Sequence, residues 1–208
     1  MKTYLFYLLI FTLTITSCKG QCIKKQISNN LKQEKMKEML FRDNLERSTK
    51  YPGGFKLPDG SEMQKSENMD YYNFNIKLPD SPYGAEYIYF KNPIQLKIEY
   101  NKFYSASIGI LKEYDIQDNL IKEINLDAGF GFSLQNVIDK MQADYKIDLL
   151  HPPKGLYRDL ERSLAKSNTP PIYKFAFDDN KINNRRIIVL NGNTGELISD
   201  NYILFVDE

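Results

Sequence analysis

Between Tyr71 and Leu126 apolar side chains recur at every second position. Phe74, Ile76 and Leu78 alternate with Asn and Lys, and Ile94, Leu96, Ile98 and Tyr100 alternate with Gln, Lys and Glu. Successive side chains of a strand point to opposite sides, so this period reads as extended chain with one buried face. Turn formers at Pro79–Gly84, Asn92-Pro93 and Gln117–Asn119 cut the stretch into four or five antiparallel strands. Ser107–Tyr114 and Leu120–Leu126 flank the last turn and form a hairpin.

The period then changes. Ser133 reads as an N-cap, and Leu134, Val137, Ile138, Met141 and Tyr145 fall on one helical face. His151-Pro152-Pro153 and Gly155 stop that helix, and Leu156, Leu160 and Leu164, four apart, predict a second, shorter one before Pro170-Pro171. Strands return at Ile172–Phe177 and Arg185–Leu190 around a polar turn, Asp178–Asn184. Glu196–Ser199 comes after the Asn193-Thr194-Gly195 turn, and Asn201–Val206 after that. Runs of strands with segregated helices predict an α+β fold: antiparallel sheet with one or two packed helices.

Upstream, residues 19–50 hold nine Lys or Arg against four Asp or Glu. Ile23, Ile27, Leu31, Met36, Met39, Leu40 and Leu45 recur at roughly helical intervals, predicting an amphipathic tether helix near Lys25–Arg47. Its basic face either rests on anionic headgroups or is simply solvated. Residues 51–70 carry Pro-Gly-Gly and Pro-Asp-Gly and read as a loop. The expected organisation is a leader at 1–17, an anchor, basic helix and linker at 18–70, and a folded domain at 71–208.

The leader itself is Met-Lys-Thr followed by the uncharged apolar run Tyr4–Ile15. A run of that length suits a signal-peptide core; a membrane-spanning helix needs about 20 residues. It ends in Ile15-Thr16-Ser17-Cys18, which resembles the bacterial lipobox. That resemblance implies a diacylglyceryl group on the Cys18 thiol, cleavage after Ser17 and acylation of the new amino terminus. Each buried CH₂ contributes about 0.8 kcal/mol, so several acyl chains hold a protein on a membrane durably. Lys19 rather than Asp after the cysteine resembles the outer-membrane members of the lipoprotein family. The membrane lipid reached through acylated Cys18 is then the first partner.

Ser133–Ser199 resembles a divergent PepSY-type module. The matching pieces are the helix Leu134–Ile147, the strand at 172–177, and RRIIVLNGNTGEL at 185–197. The match spans about a third of the mature chain; Asn191 stands where that family has Asp, and residues 148–171 form an insertion. What the resemblance implies is a non-enzymatic extracytoplasmic module that binds or restrains a peptidase or another envelope protein. An immunity-type lipoprotein that blocks a toxin fits the same strands, since exposed β edges and tyrosines suit protein docking.

The chemistry-bearing residues are few. With a formal charge of +1, the chain has no field that would gather nucleic acid, and none is expected as a partner. His151 is the single imidazole, so a histidine-rich metal site is excluded. A Ser–His–acid triad would have to run through it, with Asp148 or Asp159 and a distant serine. Glu113 with Asp115, and Glu34 with Glu38, are carboxylate pairs whose convergence sequence cannot reveal. The loop Asp178–Asn183 departs from the calcium pattern at Ile182, and Gly129-Phe130-Gly131 lacks the third dinucleotide glycine. No catalytic residue, metal or cofactor is therefore expected; the alternatives left open are an envelope hydrolase and a purely structural lipoprotein. Cys22 is the second thiol and stands unpaired within the chain once Cys18 is lipidated. Tyr71, Tyr72, Tyr83, Tyr87 and Tyr89 form the candidate binding set, either lining a protein, peptide or glycan surface or serving as half-buried strand residues.

Overall fold

The computed structural model describes residues 54–153, 155–167, 169–179 and 184–204. The leader, Cys18, Cys22 and the expected helix at Lys25–Arg47 lie outside them. The chain divides into two units at Tyr51/Pro52, and the described residues all belong to the second.

That unit consists of two antiparallel sheets and one helix. The first sheet is a seven-stranded meander: β1 (Phe55–Lys56), β2 (Glu62–Glu67), β3 (Tyr71–Lys77), β4 (Tyr83–Lys91), β5 (Ile94–Phe103), β6 (Ala106–Tyr114) and β7 (Leu120–Asn125). Helix α1 (Leu134–Tyr145) comes next, then β8 (Arg158–Ser163), β9 (Ile172–Asp179), β10 (Asn184–Asn191) and β11 (Leu197–Leu204) in spatial order 11-10-9-8. The expected α+β class is thereby overturned. Eleven strands stand against one helix among the described residues, and the architecture is essentially all-β.

Two local readings changed that balance. Arg158–Ser163 is a strand, not a helix: Leu160 is fully buried while Leu164 is 58% exposed, so the four-residue leucine spacing marks no common face. Leu160 instead alternates with Asp159 and Glu161 and pairs with Phe175. Within 51–70, the segment expected to be a loop carries β1 and β2. Met63 of β2 is fully buried opposite Ile76, and a strand with a single core side chain leaves little periodic signal.

Elsewhere the local chemistry produces the expected elements. Ser133 is extended (φ −67°, ψ 160°), and its hydroxyl accepts from the Asn136 N–H at 3.2 Å, capping α1. The β6–β7 turn closes on Asp115, whose carboxylate accepts from the Gln117 and Asn119 N–H groups, both at 2.9 Å. At the β10–β11 turn Gly195 has φ +74°, and a Cβ there would lie 2.5 Å from the Phe132 ring, so both conformation and packing require glycine. The two strands expected at 196–199 and 201–206 merge into β11, with a bulge between Val189 and Leu190 of its partner.

The core joins the two sheets. Phe103 and Ala106, at the tight end of the β5–β6 hairpin, pack with Val137 and Met141 of α1 and with Leu160, Phe175 and Ile188 of the second sheet. Each such large apolar side chain contributes about 1.5–3 kcal/mol on burial. The first sheet's buried face continues through Met63, Phe74, Ile76, Ala85 and Tyr87.

Candidate functional site

The five candidate tyrosines lie on adjacent strands but not on one open surface. The period of two places Tyr72 with Tyr83, Tyr87 and Tyr89 on the buried face of the first sheet, and Tyr71 on the other. Tyr87 is 0% and Tyr89 4% exposed. Their rings are core, with Phe74 meeting Tyr89 edge-on at 5.7 Å. Desolvation, then the negative charge of Glu99, drives the Tyr87 phenol well above its ordinary range, so it stays protonated. Tyr83 reaches the surface and packs edge-on against Phe103 at 5.0 Å. The Lys97 ammonium sits 4.1 Å from the centre of the Tyr71 ring, and those of Lys65 and Lys91 lie 4.6 and 4.9 Å from that of Tyr72. These cation–π contacts already occupy both half-buried rings.

His151 belongs to a local motif. Its Nδ1 lies 2.9 Å from the Asp148 carboxylate, which also accepts from the Leu150 and His151 N–H groups. The hydrogen bond from His151 holds the Asp148 carboxyl below its usual range. No serine hydroxyl hydrogen-bonds His151 among the described residues. Asp159 is spent elsewhere, accepting from the Ser105 N–H at 3.0 Å. Asp115 is committed to its turn, and Asp178 to Arg185 at 2.9 Å. No group of three His, Cys, Asp or Glu among the described residues could hold a metal.

Two features carry no short-range sequence signal. The first is the outer edge of β11. Among the described residues the two sheets end in four edges, and three are protected in the ways sheets avoid uncontrolled pairing. β1 has two residues, β7 carries Lys122 and Glu123, and four of the six residues of β8 are charged. β11 has eight residues, no Lys and no Pro. Its one charge, Asp200, is bound by the Arg186 guanidinium through Nε–H and Nη2–H at 2.7 and 2.6 Å. Leu197, Ile198, Tyr202 and Ile203 are each about half exposed.

The second is a cleft of 440 Å³ where the β1–β2 and β3–β4 ends of the first sheet meet the loop leading into β8. Lys56, Lys77 and Arg158 contribute cations to its lining, Glu62 and Asp80 carboxylates, and Tyr104 a phenol. Tyr104 holds φ +54°, uncommon for a bulky side chain. It is fixed by its hydroxyl donating to the Leu149 carbonyl at 2.9 Å and its N–H donating to the Pro82 carbonyl at 2.6 Å. Burial pushes its phenol up to about 12, against the lowering influence of Arg158. Arg158 is itself tied to the Asp148 carbonyl at 2.6 Å through Nη1–H.

No family model, no curated protein and no solved structure matches this chain.

Proposed function

We propose that the chain is a membrane-anchored, non-catalytic lipoprotein of the bacterial envelope, attached to the outer membrane through Cys18, that binds a protein or peptide partner. The observation that carries the binding half is β11: a long, largely apolar edge whose one charge is already paired offers backbone groups for an added strand and side chains for selectivity. The anchor rests on the apolar leader and its lipobox-like end. The PepSY-like turn chemistry at Asn193-Thr194-Gly195 lies beside the same edge, and agrees with a module that restrains a peptidase or toxin rather than performing a reaction.

The two halves separate experimentally. Metabolic palmitate labelling should mark the wild-type chain and not Cys18→Ala; an unlabelled wild type removes the anchor. A photocrosslinker at Ile203 should capture an envelope protein that one at Glu161 on β8 does not, and Ile198→Lys should abolish the capture by placing a charge on the edge. Equal yields from the two positions would remove β11 as the docking edge.

A further inference from the structure

The open side of β11 carries a pattern that matches itself. Residues of an antiparallel strand turn their backbone groups alternately to one neighbour and to the other. Asn191 donates its N–H to the Glu196 carbonyl, so the odd-numbered residues of β10 face β11, and their partners Ser199, Asn201 and Ile203 spend their backbone groups inward. Asp200 and Tyr202 therefore turn theirs to the free edge. Their side chains share one face, where Arg186 binds both Asp200 oxygens and lies 5.5 Å from the centre of the Tyr202 ring. Each of those oxygens keeps a lone pair. The Tyr202 hydroxyl makes no hydrogen bond among the described residues, and Asn201 is exposed. Two identical strands paired antiparallel about a two-fold axis must set one residue opposite itself, because facing side chains share a face. Centring on Asp200 opposes like charges, which destabilises. Centring on Ser199 sets Asp200 against Ile198, which lies in the bulge, and centring on Tyr202 sets Asn201 against Ile203. Centring on Asn201 sets amide against amide, each donating and accepting, and places Asp200 of each copy against Tyr202 of the other.

We propose, resting on the reading of β11 as a docking edge, that its occupant is β11 of a second copy, paired antiparallel about a two-fold axis beside Asn201. The two four-stranded sheets then become one continuous sheet. Asp200 and Tyr202 exchange backbone bonds on either side of the axis, and each Tyr202 hydroxyl donates to the Asp200 carboxylate opposite, already neutralised by its own Arg186. The ladder runs from Ser199 to Ile203. The short or charged edges β1, β7 and β8 offer no comparable second contact, so assembly closes at two copies. So short a ladder falls below the size of a standard interface, and two copies held in one membrane plane gain the effective concentration that it needs.

The test is disulfide formation in membranes of cells expressing the full chain, with Cys22→Ser as background and a mild oxidant. Asn201→Cys should give a linked species of twice the chain mass. Facing Cα atoms of a pair without backbone bonds lie about 4.5 Å apart, within a disulfide's span. Ser199→Cys and Ile203→Cys should each stay single alone and link when expressed together, since each faces the other across the axis. Lys122→Cys, on the exposed edge β7, should stay single. Adding Tyr202→Phe to Asn201→Cys removes hydrogen bonds to a charged group and should slow linking about tenfold. Linking at Lys122 as fast as at Asn201, Ser199→Cys linking alone, or an unchanged rate with Tyr202→Phe would each overturn the assignment. A chain that stays single at every position overturns it as well. If a crosslinker at Ile203 then still captures a different protein, β11 remains a docking edge and only its occupant is wrong; with no capture, both readings fall.

Discussion

Tyr87→Phe should make this protein more stable, against the usual direction of core substitutions. The ring is fully buried on β4 opposite Glu99, and its hydroxyl has no hydrogen-bond partner among the described residues. A buried hydroxyl that gave up its water without replacement costs about 1–3 kcal/mol in the native state, and in the unfolded chain it costs nothing. Phenylalanine keeps the ring and its contacts and deletes that cost. The expected gain is about 1 kcal/mol, or a Tm higher by about 2–4 °C for a chain of this size. Tyr173→Phe is the matched control. Its ring is equally buried, but its hydroxyl donates to the Phe132 carbonyl at 2.9 Å, so the same deletion leaves an acceptor unpaired and should cost about 1 kcal/mol. Urea denaturation followed by circular dichroism, with equal m-values, gives both numbers. If Tyr87→Phe loses as much stability as Tyr173→Phe, the account of that hydroxyl is wrong.

Three other substitutions have outcomes set by single contacts. In Gly84→Ala the new Cβ presses into the Ile76 carbonyl oxygen across the β3–β4 pair, and backbone must move; a loss of about 1–3 kcal/mol in unfolding free energy by urea denaturation is expected. Ser133→Ala removes the cap of α1 and should cost about 1 kcal/mol in the same assay, with Ser133→Asp recovering most of it. The hydrogen bonds from Arg186 hold the Asp200 carboxyl below the aspartate range. Its contribution is therefore complete above the unfolded value of about 3.9 and disappears as pH falls through the lower folded value. The difference in Tm between wild type and Asp200→Asn should shrink steadily below pH 4, and a difference that stays constant down to pH 2 would remove the pair from the acid response.

Much of the strand order was readable because side-chain period is a direct consequence of one-sided burial. β3 announces itself by an alternation that its burial matches, and α1 by Ser133 and its apolar stripe. β6 and β7 follow from the turn between them, and β7 has no buried face. In β5 the apolar alternation misleads: Glu99 and Phe103 are buried while Ile94 is exposed. Where a strand buries one residue, as β2 does with Met63, period has nothing to act on. Where leucines are spaced by accident, as at Leu156, Leu160 and Leu164, period misleads, and the fold class shifted with it. Tyrosine is ambiguous for a different reason: ring and hydroxyl favour opposite environments, so sequence could not tell core Tyr87 from surface Tyr83. The cleft was beyond reach altogether, since Lys56, Lys77, Tyr104 and Arg158 come from separate segments. For β11, the lack of lysine and proline was visible, but its place at an edge was not.

The strand orders, one to seven and eleven back to eight, contain no strand wedged between partners remote in sequence. Among the described residues every strand pairs only with its neighbours in sequence, so each pairing needs only a short loop closure. β proteins are usually slow to fold because distant segments must find one another, and this chain is spared that search within each sheet. The contacts remote in sequence are those that join the two sheets through α1, around Phe103 and Leu160.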